Sequence, residues 1–218
     1  MTETLEKYHK ILKILKDNAY QAYFVGGCVR DYLLGRAVYD VDIATDATPN
    51  ELSALFFSWP KLDYTLKYGV LTIKGRYHCQ ISTFRQENSY TDNRHPDKIK
   101  FVKQAKIDAK RRDFTINALY MNENYKIYDY FDSIKDLYDK VIRMIGEPAI
   151  RISEDPLRII RALRFADALG FTVDEKLEKA IRENLTDINK LKKEKIKEEI
   201  AKYKEKKHYF DKYLAKIV

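Results

Sequence analysis

Apolar residues at Leu5, Tyr8, Ile11, Leu12 and Leu15 recur at helical spacing, so the chain is expected to open with an amphipathic helix over 4–17. The short apolar run Ala22 to Val25 then meets Gly26-Gly27, which reads as a strand entering a tight turn, with a helix from about Val29 to Leu34. From Val38 to Ala44, Val38, Asp40 and Asp42 alternate with Tyr39, Val41 and Ile43, the period of a strand with two unlike faces. Thr48-Pro49-Asn50-Glu51 has the form of a helix start: Thr48 at the cap, Pro49 in the first turn and Glu51 three residues after the cap.

Two β-rich runs, Tyr68 to Lys74 and Tyr77 to Phe84, flank the hairpin-like turn Lys74-Gly75-Arg76. The stretch Gln86 to Lys98 is polar and loop-like, Ile99 to Val102 returns to strand, and Ile116 to Tyr120 with Lys126 to Tyr130 suggests a second hairpin. Asp155-Pro156 opens a helix running to Gly170, and the remainder carries helical signals with no strand signal. The pattern divides the chain into an α+β part over 1–145 and an all-helical part over 146–218. Between Lys190 and Lys207, nine lysines stand against four glutamates, while Leu191, Ile196, Ile200 and Tyr203 keep an apolar face. That describes a basic amphipathic helix.

The 218 residues are 45% hydrophobic, enough for a packed core and against a disordered chain. A net charge of +8 favours a polyanionic partner. Two cysteines, Cys28 and Cys79, without C-x-x-C spacing argue against a zinc site or a disulfide framework. No stretch has the apolar length of a membrane span, so the expectation is a soluble cytoplasmic protein without a membrane partner.

Candidate chemistry begins with Asp40-x-Asp42. On a strand, residues two apart point to one side, and two hard carboxylates converging on a point suit Mg²⁺, which takes one or two carboxylates plus substrate phosphates. A bare D-x-D is more often a pair of solvated acids. Upstream, however, Gly26-Gly27-Cys28-Val29-Arg30 places glycines where a strand hands over to a helix, a setting in which phosphate oxygens can approach backbone N–H groups.

At this point a resemblance carries further. Phe24 to Thr45 (FVGGCVRDYLLGRAVYDVDIAT) resembles the first motif of the class II tRNA nucleotidyltransferase and bacterial poly(A) polymerase family, within the polymerase-β-like nucleotidyltransferases. Arg111 to Ala118 (RRDFTINA) resembles that family's ribose-recognising motif, Ile145-Gly146-Glu147-Pro148 its flexible element between head and neck, and Glu154-Asp155-x-x-Arg158-x-x-Arg161 its nucleotide-selecting motif. The resemblance implies an α+β nucleotidyltransferase head, a mixed sheet with flanking helices, followed by an all-helical neck. It assigns Asp40 and Asp42 to catalysis and to two Mg²⁺ ions. Gly26, Gly27, Arg30, Arg111, Arg112, Asn117, Asp155, Arg158, Arg161 and Arg164 would be nucleotide-binding, with Arg111 and Arg112 left as alternatives near ribose and phosphates. Asp155 and Arg158, three apart on one helix face, would read the base edge of C or A.

The implied activity is template-independent addition of C, C and A to tRNA 3′ ends from CTP and ATP. The alternatives are an A-adding or poly(A)-type enzyme, or an RNA-binding module derived from the head. The polar stretch Glu87 to Asp97 matches the family's flexible loop, used in switching to the terminal A, and favours the full CCA activity. Two departures stand out. Gln80 occupies the place of a usual glutamate before Ile81-Ser82-Thr83-Phe84-Arg85, and the chain has the length of a short form lacking body and tail domains. The tRNA-gripping role would then pass to Lys190, Lys192, Lys193, Lys195 and Lys197. His78 and His95 match no motif, and most of the 17 tyrosines are expected to pack.

Overall fold

A computed structural model describes residues 2–63, 65–88, 98–203 and 208–215. The chain divides into two compact units: 1–87, 99–112 and 117–133 form the first, and 88–98, 113–116 and 134–218 the second.

The first unit begins with α1 (Thr2–Glu6) and α2 (His9–Asp17) in place of one continuous helix. The Tyr8 N–H bonds to the Leu5 carbonyl at 2.9 Å, three residues back, which tightens the chain into a turn. The apolar stripe survives the break, since Leu5, Tyr8, Ile11, Leu12 and Leu15 are all buried. Next come β1 (Ala22–Val25), α3 (Gly27–Leu33), β2 (Asp42–Thr45) and α4 (Pro49–Leu55). The capping box at α4 is formed in both directions between Thr48 and Glu51.

Strands β3 (Lys61–Leu62), β4 (Val70–Ile73), β5 (Cys79–Thr83), β6 (Arg85–Asn88) and β7 (Lys98–Phe101) follow. The polar stretch thus begins and ends in strand, with β6 and β7 paired to each other, and residues 89–97 of it, His95 among them, lie outside the described residues. Then come α5 (Ala105–Lys110), β8 (Tyr120–Met121) and β9 (Ile127–Tyr128); the last two pair antiparallel, but the first arm of the hairpin expected from Ile116 begins only at Tyr120, because Thr115–Asn117 forms a 3-10 turn.

Seven strands make one mixed sheet in the order β3-β4-β5-β2-β1-β8-β9. Only β2 against β5 is parallel, Asp42 opposite Gln80 through Thr45 opposite Thr83. The other central partner of β2 is β1, antiparallel, with Val25 opposite Asp42. Val25, Ala44, Phe84, Ala105, Ala109 and Tyr120 form a buried cluster, and Tyr23, Tyr128 and Tyr130 pack around it. The tyrosines named here are packing residues, Tyr23 meeting Tyr128 edge-on at 5.1 Å.

The strand expected over 38–44 is shorter than its alternation suggests, beginning at Asp42. Beyond Val25, β1 turns at Gly26 (φ +80°), so residues 38–41 have no β1 partner to extend the ladder. Gly26 adopts a backbone conformation open to glycine and strained for other residues.

The second unit contains most of α6 (Ser133–Tyr138), then β10 (Val141–Ile142), α7 (Pro148–Glu154), α8 (Leu157–Leu169), β11 (Thr172–Val173), α9 (Glu175–Glu183) and α10 (Lys193–Ile200). Leu157, Ile159, Ile160, Ala162, Leu163 and Ala166 bury one side of α8, and Gly170 ends it in the left-handed conformation (φ +70°). The helical part contains one short strand that its pattern does not announce: β11 pairs in parallel with β10. All four residues are β-branched or apolar and suited to pairing, but two residues are too few to register a period.

The basic helix is also shorter than expected, and residues 204–207 lie outside the described residues. Its inner face carries an acid, Glu199, buried and accepting a hydrogen bond from Arg164 Nε at 2.7 Å.

Replacing Thr48 by Ala should cost about 1 kcal/mol through loss of the α4 cap. Urea denaturation followed by far-ultraviolet circular dichroism measures this; an unshifted midpoint would show that the cap contributes nothing.

Candidate active site

Asp42 opens β2 beside the Gly26 turn, so the register of β1 on β2 sets what surrounds it. A Cβ built on Gly26 would lie 3.6 Å from Asp42 Oδ2 and 3.7 Å from Arg112 Nη1. Glycine, carboxylate and guanidinium therefore share one small space. Burial pushes the Asp42 carboxyl above the usual carboxylate range; the Arg112 guanidinium pulls it back, and the neighbouring Asp40 pushes it up again.

Asp40 itself precedes the strand and is exposed, so the pair does not arise from strand alternation as the sequence suggests. Its position is set by Val38 and Val41, which are buried on either side of exposed Tyr39 and Asp40.

Arg30, on α3, is buried and held from two directions. Its Nε and Nη2 donate to Asp31 Oδ1 and Oδ2, each at 2.9 Å, and Nη1 donates to Asn117 Oδ1 at 2.8 Å. The same guanidinium folds over Gly27, where a Cβ would meet Arg30 Nη2 at 3.5 Å. Gly26, Gly27, Arg30, Asp40, Asp42, Arg111, Arg112 and Asn117 all belong to the first unit.

The two adjacent arginines point to different neighbours. Arg111 Nε donates to Asp108 Oδ1 at 2.8 Å, and its Nη1 lies 3.5 Å from Glu87 Oε1. Arg112 is the one beside Asp42; its Nε donates to the Tyr120 hydroxyl at 3.1 Å and its Nη2 to Asp108 Oδ2 at 3.4 Å. Sequence reasoning missed Asp108 and Tyr120. A usable signal existed for the acid, since Asp108 stands three and four residues before Arg111 and Arg112 near a helix end.

Gln80 lies directly across from Asp42 in the parallel β2–β5 pair, on the same face of the sheet. A neutral amide thus stands where a further carboxylate would complete a three-acid set. Among the described residues, no group of three His, Cys, Asp or Glu side chains is placed to hold a metal ion. Asp40 and Asp42 still suit Mg²⁺, whose remaining ligands come from water and substrate phosphate and not from an all-protein cage. His78 contributes its backbone to local structure, its carbonyl accepting from Tyr8 Oη at 2.9 Å.

The remaining sequence candidates lie in the second unit. Asp155 does not share a helix face with Arg158. It sits in extended backbone (φ −150°) between α7 and α8, and its Oδ1 accepts from Leu157 N at 3.1 Å. Pro156 follows it and disfavours a helical conformation for the residue before, which explains the bend. Arg158 is buried and donates to Glu154 Oε2 at 2.9 Å and to the Arg151 carbonyl. Arg161 Nε donates to Asp113 Oδ2 at 2.8 Å, and Arg164 is held by Glu199. Lys190, Lys192, Lys193 and Lys197 are exposed, whereas Lys195 is half-buried and pairs with Glu198.

Burial raises the Asp108 carboxyl, but Arg111, Arg112, the Tyr120 hydroxyl and the Arg85 N–H outweigh it and bring it to about 2, from 3.8. The folded value is depressed, so this contribution is present above the unfolded value and is lost as pH falls through about 2. Asp108→Asn should therefore cost about 2 kcal/mol at neutral pH, with the deficit shrinking as pH drops below about 4. Urea titrations of both proteins at pH 7 and pH 3 measure it; a deficit equal at the two values would contradict the assignment.

No helix among the described residues is long and apolar enough to cross a membrane. The poly(A) polymerase head domain family matches residues 22–143. A CCA-adding enzyme of Lactobacillus helveticus (strain DPC 4571) is 45% identical over 193 residues, which is 88% of this chain and 48% of that protein. The crystal structure of the Bacillus stearothermophilus CCA-adding enzyme in complex with CTP superposes with a TM-score of 0.80 at 37% identity, covering 90% of this chain and 47% of that one. A tRNA nucleotidyltransferase complexed with a primer tRNA and an incoming ATP analog superposes with a TM-score of 0.73 at 31% identity, over 92% of this chain and 59% of that one. The chain spans about half the length of the curated relatives it matches. With the mixed sheet, the Gly26 turn and its neighbours Asp42 and Arg112 in place, the family match over more than half its length shows that this chain belongs to the poly(A) polymerase head domain family.

Proposed function

We propose that this chain is the catalytic portion of a template-independent tRNA nucleotidyltransferase that adds C, C and A to tRNA 3′ ends from CTP and ATP, acting in the cytoplasm. The observation that carries the reading is the convergence of Asp42, Arg112 and the Gly26 turn, with Asp40 beside them. The names of its relatives support the substrate class: CCA-adding enzymes, one of them bound to CTP, and a tRNA nucleotidyltransferase bound to primer tRNA and an ATP analog.

In the reaction the RNA 3′-hydroxyl oxygen attacks the α-phosphorus of the NTP. A new phosphodiester bond forms, the α–β P–O bond breaks, and pyrophosphate departs with the electron pair. Asp40 and Asp42 would hold Mg²⁺, two ions in the full reading, which when bound lowers the pKa of the attacking hydroxyl and offsets charge on the phosphates. Gly26 keeps a side chain out of the space between Asp42 and Arg112, leaving room for a phosphate oxygen. Arg112 supplies a fixed cation at that space, and Arg30, clamped by Asp31 and Asn117, supplies a second on α3. Gln80 cannot accept the hydroxyl proton, so general-base help from that position is missing.

Asp155, Arg158, Arg161 and Arg164 are assigned to base selection, and the stretch Glu87 to Asp97 to the switch towards A. Exposed Lys190, Lys192, Lys193 and Lys197, with Lys195, are assigned to RNA phosphates. A second reading, an A-adding or poly(A)-type enzyme, draws on the name of the matching family.

The test is incorporation by this chain on a tRNA ending at its discriminator base, with CTP, ATP or both, resolved to single nucleotides. The proposal predicts two C additions followed by one A, then termination. Addition of A alone selects the second reading, and RNA binding without incorporation selects a non-catalytic module. Asp40→Ala and Asp42→Ala should each lower incorporation at least about a hundredfold while RNA binding persists. Undiminished incorporation in either variant would remove the carboxylate assignment. Converting Lys190, Lys192, Lys193 and Lys197 to Gln should flatten the salt dependence of tRNA binding, by about 0.7 to 0.9 in log–log slope per lost phosphate contact. An unchanged slope would place the RNA elsewhere.

A further inference from the structure

The Asp108 carboxylate, within α5, is fully buried and makes contacts on both oxygens. Oδ1 accepts from the Arg85 backbone N–H at 3.0 Å and from Arg111 Nε at 2.8 Å. Oδ2 accepts from the Tyr120 hydroxyl at 2.5 Å and from Arg112 Nη2 at 3.4 Å. Tyr120 is itself fully buried in the sheet, and its hydroxyl oxygen accepts from Arg112 Nε at 3.1 Å. The Arg112 guanidinium also lies over the Tyr120 ring, 5.2 Å from its centroid.

Arg112 donates through Nε and Nη2, and its Nη1 lies at the Gly26 space beside Asp42, 3.7 Å from where a Cβ on Gly26 would stand. A long side chain with several rotatable bonds would otherwise sample many positions, and fixing it in advance removes that entropy cost from ligand binding. Asp108 reaches Arg112 twice, directly at Nη2 and through the Tyr120 hydroxyl at Nε, which fixes the orientation of the guanidinium as well as balancing its charge. Arg111 has different partners: Glu87 Oε1 accepts from its Nη1 at 3.5 Å and from Arg85 Nε at 2.7 Å.

We propose that Asp108, bridged by Tyr120, is a positioning residue that presents Arg112 Nη1 to the phosphates of the incoming nucleotide. The inference rests on the nucleotidyltransferase reading above and deepens it by dividing the paired arginines. Arg112 meets nucleotide phosphate; Arg111 belongs to the scaffold that joins α5 to the start of β6.

The test is calorimetric titration of this chain with CTP and, in parallel, with cytidine, which offers the base and sugar without phosphates. Asp108→Asn should weaken CTP binding about tenfold while leaving cytidine binding within about twofold, the loss expected when one charge-assisted contact is misplaced. Arg112→Gln should give the same loss, and the double variant should be no worse than either single one, because both remove one interaction. Tyr120→Phe keeps the buried ring and deletes only the bridge; it should weaken CTP binding about threefold, and it serves if Asp108→Asn does not fold. Equal weakening of CTP and cytidine would show a merely structural role and overturn the proposal. So would additive losses in the double variant, or unaltered CTP binding by folded Tyr120→Phe.

Failure of the functional reading looks different. The unaltered chain would then show no preference for CTP over cytidine, whatever the variants do.

Discussion

Everything at the candidate site depends on the pairing of β1 with β2, in which Val25 faces Asp42 and the next residue, Gly26, takes a positive φ. Ending β1 there does three things together. It stops the β1–β2 ladder at Asp42, so the preceding Asp40 is free of the strand and exposed. It starts α3, which carries Arg30 to Asp31 and Asn117. It also brings a backbone without a side chain against Asp42 and Arg112. A one-residue slip would place Ile43 where Asp42 stands and turn the carboxylate to the opposite face, which would abolish the site rather than perturb it.

Around that turn the electrostatics are arranged in two layers. The inner pair, Asp42 and Arg112, is imperfectly neutralised, because Asp40 adds a like charge beside Asp42. An imbalance of negative charge that the protein leaves uncorrected is suited to a divalent cation brought in with a nucleotide. The outer layer is closely balanced. Asp108 binds two guanidiniums, a hydroxyl and a backbone N–H, and its carboxyl is held near 2 in consequence. Rigidity in the outer layer lets the inner one stay open without Arg112 collapsing onto the acids, and this division is the physical basis for assigning different tasks to adjacent arginines.

Much of this was legible in the sequence, for identifiable reasons. The Thr48–Glu51 cap, the Ala22–Val25 strand and the helix ending at Gly170 are local patterns enforced by local chemistry, and they form as read. Their spacing points to Asp40 and Asp42, yet strand alternation covers only Asp42. The pattern offers Asp155 a helix position that Pro156 denies it. Asp108 escaped notice because Lys106-Ile107-Asp108-Ala109-Lys110 reads as a charged surface turn. Its burial follows from β8 delivering Tyr120 against α5, a contact between residues that no local pattern connects. Glu199 was hidden in the same way inside a lysine-rich run.

The central claim is that the space between Gly26, Asp42 and Arg112 is where a nucleotide's α-phosphate is transferred to RNA. The most direct measurement supplies this chain with CTP radiolabelled at the α-phosphate, and separately at the γ-phosphate, together with tRNA lacking its terminal CCA. The α-label should enter the RNA, the γ-label should be released as pyrophosphate, and Asp42→Ala should abolish both. Label in the RNA from the γ-position, or α-label transfer that persists in Asp42→Ala, would contradict it.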